Sequence, residues 1–104
     1  MAVFLQATLE LDYQTLPIFL SIAPTMKAEA EAAGWTMLAA MTTKIGKMNT
    51  VVHLWKLADM NAFDVGIAAM ASSPHSAKIY EEICKSGAKE TLAFLDATSY
   101  SPAL

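Results

Sequence analysis

Along the first dozen residues, apolar and polar positions alternate. Val3, Leu5, Ala7, Leu9 and Leu11 fall on one side, and Phe4, Gln6, Thr8, Glu10 and Asp12 on the other. A period of two predicts a strand over 2–12. From residue 15 the apolar spacing lengthens: Leu16, Phe19, Leu20, Ala23, Met26 or Lys27, Ala30 and Ala33 form a helical stripe. This predicts a helix over 15–33 with Thr15 as N-cap, Pro17 in the first turn and Gly34 as the stop. Pro24 lies inside that stretch and predicts a kink or a split. Residues 35–44 and 49–57 read as two strands joined near Gly46, which suggests a hairpin. Asp59 can cap a helix over 60–71, and Ser72-Ser73-Pro74 interrupts it. A further helix over 75–86 turns Ile79, Tyr80 and Ile83 inward and ends at Gly87, and residues 88–97 form a last strand.

The order is β-α-β-β-α-β with the second helix in two pieces, over one domain spanning 1–104. That is the α+β, ferredoxin-like arrangement: a four-stranded antiparallel sheet with all helices on one face. The other face should then be polar, yet it is not. Read in a period of two, the second strand sets Trp35, Met37, Ala39 and Met41 against Thr36, Leu38, Ala40 and Thr42. The third sets Val51, His53, Trp55 and Leu57 against Val52 and Leu54. Helices cover one face only, so a homodimer with two sheets facing each other, a dimeric α+β barrel, is expected; a monomer with a half-wet sheet is the competing expectation.

Composition strengthens this. Of 104 residues, 55% are apolar and 16% charged, with net charge −3. All seven basic residues are Lys. Without Arg, bidentate phosphate and base-edge contacts are lost, which argues against nucleic-acid binding. No apolar run reaches the roughly 18 residues of a membrane span. Cys84 is the sole cysteine, so no intrachain disulfide forms, and with no signal-like start the expected setting is cytoplasmic.

The stretch Thr43-Lys44-Ile45-Gly46-Lys47-Met48-Asn49-Thr50-Val51-Val52-His53-Leu54-Trp55 resembles the T-E-I-G-x-L-N-x-V-x-H-L-W signature of the NIPSNAP family. Leu16-Pro17, Phe19-Leu20, Glu31-Ala32-Ala33-Gly34, Ser73-Pro74 with Tyr80, and the tail Thr98-Ser99-Tyr100-Ser101-Pro102 are similar to other parts of that family. The resemblance spans residues 13–104. Three places depart from it: Ala7 and Leu9 stand where the family carries an arginine and a tyrosine, and Lys44 where it carries an acid. The resemblance implies the dimeric α+β-barrel fold. It implies no single reaction, since some members are protein adaptors and the wider superfamily includes cofactor-free oxygenases, isomerases, cyclases, lyases and haem enzymes.

His53 leads the candidate chemistry, because its ordinary pKa lies near working pH. It can act as acid or base toward a ligand, or sit in the core bonded to a backbone carbonyl. Tyr13 and Tyr80 are candidate hydrogen-bond donors beside it. Asn49, Trp55, Leu9, Ala7, Met37 and Met41 are candidate substrate contacts, and the resemblance implies that Ala7 and Leu9, in place of the family's longer polar groups, enlarge and grease the space between sheet and helices. Glu10 and either Glu90 or Asp96 are expected on neighbouring strands, where they can pair or stay solvated. His75 reads as a surface residue, Cys84 as a small buried hydrophobe, and Tyr100 as packing the tail down. No zinc-type spacing or phosphate-cradling glycine loop occurs, so no metal or cofactor is expected. Two functions fit: a cofactor-independent enzyme transferring protons on a hydrophobic metabolite (isomerase, cyclase or lyase), or a non-catalytic ligand-binding or protein-interaction module.

Overall fold

A computed structural model describes residues 2–104. Its elements run β1 (Val3–Glu10), α1 (Thr15–Ala32), β2 (Thr36–Thr42), β3 (Thr50–Leu57), α2 (Asn61–Ala71), α3 (Pro74–Lys85) and β4 (Lys89–Leu95). The strands form one antiparallel sheet in the order β2-β3-β1-β4. This is the expected ferredoxin-like topology, with three helices.

Local chemistry explains most boundaries. The α1 start is held by Asp12 rather than by Thr15. The Asp12 carboxylate accepts from the backbone N–H of Gln14 and Thr15, at 2.9 and 2.8 Å, and from the Thr15 hydroxyl at 2.9 Å. A carboxylate at a helix N-terminus is the stronger acceptor and also meets the positive end of the dipole. These bonds, the backbone N–H of Thr15 first, lower the Asp12 pKa. The Asp59 carboxylate accepts from Ala62 N–H at 3.0 Å and caps α2 as expected. Pro24 does not split α1. Phe19 and Ile22 on one side of it, and Ala30 on the other, are buried in two separate core clusters, so packing on both sides keeps the helix continuous.

The two clusters lie on the same side of the sheet. The first joins Leu5, Trp55 and Leu57 to Ala30 of α1 and Trp35. Trp35 is locked there: its indole N–H donates to the Ala62 carbonyl at 2.6 Å, and its ring stacks on Phe63. Gly66 leaves room for that ring, since a Cβ at this position would meet Trp35 at 2.1 Å. The second cluster joins Leu9 and Val51 to Phe19, Ile22 and Ile83.

One irregularity changes the faces of β2. Met37 pairs with Trp55 and Ala39 with Leu54, so Leu38 is an extra, unpaired residue, a β-bulge. Beyond it the parity reverses. Ala40, not Ala39, shares the face of His53, and Met41 pairs with Val52 on the opposite face. The expectation that Met41 lies on the same side as Met37 is therefore corrected.

Candidate functional site

The register lays three rows across the helix-covered face. One reads Met37, Trp55, Leu5 and Phe94; the next Ala40, His53, Ala7 and Leu92; the third Thr42, Val51, Leu9 and Glu90. The outer rows carry bulky residues into the two core clusters. The middle row has only methyl groups at 7 and 40, on either side of His53. Above it the helices leave a cavity of about 460 Å³, within the size range of small-molecule sites.

His53 lies on the floor of this cavity, with Trp55 and Phe19 against it at ring-centroid distances of 6.0 and 5.8 Å. Burial alone acts on the imidazole and lowers its pKa, so the neutral form is held at working pH. No charge or hydrogen bond contributes to that shift. Tyr80, from α3, borders the same space together with Glu90 of β4 and Cys84. Burial first, then the charge and hydrogen bonding of Glu90, and after these Cys84, raise the pKa of the phenol. It stays a neutral donor.

Of the residues singled out in the sequence, His53, Tyr80, Trp55 and Ala7 line this cavity. Met37 and Met41 instead border a second, shallower space of about 310 Å³ between α1 and the β2 edge. Tyr13 stands apart at 77% exposed, in the turn before α1. Leu9 is sealed in the second core cluster. Asn49 is buried as a turn residue: its φ of 61° is a left-handed conformation that Asn tolerates, and its carbonyl accepts from Leu11 N–H at 3.0 Å.

Other expectations need correction. Glu10 and Glu90 lie on opposite faces, because Leu9, not Glu10, pairs with Glu90. Glu10 is instead ion-paired with Lys47, which lowers its pKa. Cys84 is exposed at the cavity rim rather than buried, and Tyr100 projects from the tail at 86% exposed. Phe19 and Lys27 also line the cavity, without a chemical signal in the sequence to mark them, and only the strand register reveals that Glu90 belongs with Tyr80 rather than with Glu10. Among the described residues no cluster of His, Cys, Asp or Glu can hold a metal ion, and no helix is long and apolar enough to cross a membrane.

Comparison with known proteins gives a consistent family. The family model for NIPSNAP matches residues 6–102. A solved NIPSNAP family protein from Agrobacterium tumefaciens strain C58 superposes with a TM-score of 0.76 at 15% identity, covering 98% of each chain. A NIPSNAP domain protein from Burkholderia xenovorans gives 0.70 at 19% identity, over 99% of this chain and 100% of that one. An antibiotic biosynthesis monooxygenase gives 0.64 at 15% identity, over 92% of this chain and 98% of that one. No curated protein is a detectable sequence relative. At such identities the structural likeness speaks for the fold alone.

Proposed function

The chain belongs to the NIPSNAP family, and from that premise we propose that it acts on a hydrophobic, carbonyl-bearing metabolite by proton transfer, without a cofactor, in the cavity between sheet and helices. The observation that carries this reading is a neutral imidazole on the floor of an apolar cavity, with burial as the one influence on its pKa. On a ligand with a carbon–carbon double bond one carbon removed from the carbonyl, His53 takes a proton from the intervening carbon and returns it to the far end of the resulting dienolate, so the double bond moves into conjugation and the net reaction is an isomerisation. The Tyr80 phenol, kept protonated, turns its single O–H from Glu90 to the carbonyl oxygen as negative charge develops there. Trp55 and Phe19 form the walls that exclude water.

A homodimer is part of the same proposal. All of β4 is exposed, including Leu92, Phe94 and Leu95. The sheet face away from the helices carries Val52, Leu54, Ala39 and Met41. A second copy covers such surfaces without any new kind of contact.

Native mass spectrometry of freshly purified protein tests the binding half, and a retained apolar small molecule is the expected result. With that molecule or its analogues as substrate, His53→Gln lowers turnover at least about tenfold while the fold is kept. A bound molecule that neither the wild type nor the variant converts leaves a carrier and sinks the enzyme. Light scattering at micromolar concentration checks the dimer; a species at 11.2 kDa refutes it.

A further inference from the structure

The two cavities are neighbours. Ala23, Lys27 and His53 border both. His53 stands between Ala7 and Ala40 in its row; Ala7 opens to the larger cavity and Ala40 to the smaller. On the α1 side the shared residue is Ala23, whose side chain is a single methyl group and puts little bulk between them.

The polar groups at the junction have a definite character. The Lys27 ammonium is in an ion pair with Glu31 at 2.9 Å, so its charge is already matched. His53 is uncharged. The junction thus offers one neutral imidazole, whose N–H can donate to a ligand carbonyl, with no unmatched charge, between two greasy arms.

We propose that the two cavities form one bent site that takes an uncharged molecule with two alkyl arms and a carbonyl between them. The carbonyl sits at the bend beside His53, one arm lies under the helices over Ala7, and the other runs out along Ala40 and Thr42 toward the β2 edge. This deepens the reading above and rests on it: it names the shape and polarity of the ligand that the His53 cavity admits. An anionic head in the larger cavity would face Glu81 and Glu90, and a charge of either sign over the apolar remainder would be desolvated without a partner.

Isomeric ketones separate the possibilities. Dipentyl ketone and methyl nonyl ketone have the same eleven carbons, and only the first places its carbonyl between two equal arms. Binding to the full chain is followed by tryptophan fluorescence, since Trp55 adjoins His53. Dipentyl ketone is expected to bind about fivefold tighter or more, as its second arm leaves water for the smaller cavity. Ala40→Phe fills that cavity from an exposed strand position and removes the preference by weakening dipentyl ketone alone; Thr42→Phe, nearby, does the same. Equal affinities in the wild type overturn the bent site but leave a single His53 cavity. A preference that survives both variants overturns it as well. Failure of both ketones to bind overturns this inference together with the small-molecule reading beneath it.

Discussion

Adjacent rows of one sheet face have opposite fates in this protein. Leu9 and Val51 meet Phe19, Ile22 and Ile83, and the space between sheet and helices is filled. Two residues back along β1, Ala7 and Ala40 meet nothing of comparable size, and a cavity opens around His53. Both rows lie on the same strands under the same helix α1. The difference is one of side-chain volume at aligned positions, so the cavity is an absence of methylenes and needs no special backbone. The filled row holds the layers together, and the empty row holds the cavity and its imidazole.

The largest effect comes from emptying the filled row. Leu9→Ala removes a buried side chain from a packed cluster and should lower stability by about 2–5 kcal/mol in urea unfolding. A loss below about 1 kcal/mol would mean that the rows do not differ in packing as described. The reverse change, Ala7→Leu, adds bulk where there is space. Stability should shift by no more than about 1.5 kcal/mol, while ligand binding falls at least tenfold. If Ala7→Leu instead destabilises as much as Leu9→Ala, the middle row is already full. The smallest effect is in pH dependence. Burial lowers the His53 pKa in the folded chain. Below the ordinary histidine value of about 6.5 the unfolded chain binds a proton that the folded chain resists, so stability falls as pH drops through that value toward the lower folded one. The stabilities of wild type and His53→Gln, measured from about pH 7.5 down to 5, should diverge on acidification, with the wild type losing more. Parallel curves would place His53 in water.

Much of the fold is written in local patterns. The alternation of β1, the stripe of α1, the glycine stops and the Asp59 cap each act within a few residues, and they suffice for the element order. Pro24 misleads because its local penalty is outweighed by burial of Phe19, Ile22 and Ala30, which are distant partners of the sheet. The site is less legible. His53 stands out by its chemistry, but the gap beside it exists only because the register aligns Ala7 with His53 and His53 with Ala40. Glu90 joins Tyr80 for the same reason. Tyr13 has the right chemistry, yet the turn after β1 leaves it in solvent. Spacing along the chain carries none of this, since pairing between strands is a non-local choice.

The extra residue in β2 also bears on how relatives are compared. Leu38 has no partner across the ladder, so a chain lacking it can keep Met37 against Trp55 and Ala40 against His53. Two such chains would share one pocket while differing in length. An alignment drawn without a gap would set Ala40 of one against a residue from the other face in its relative. It would then report divergence in a lining that had not changed. For this sheet, homology at the pocket is counted across strands rather than along them.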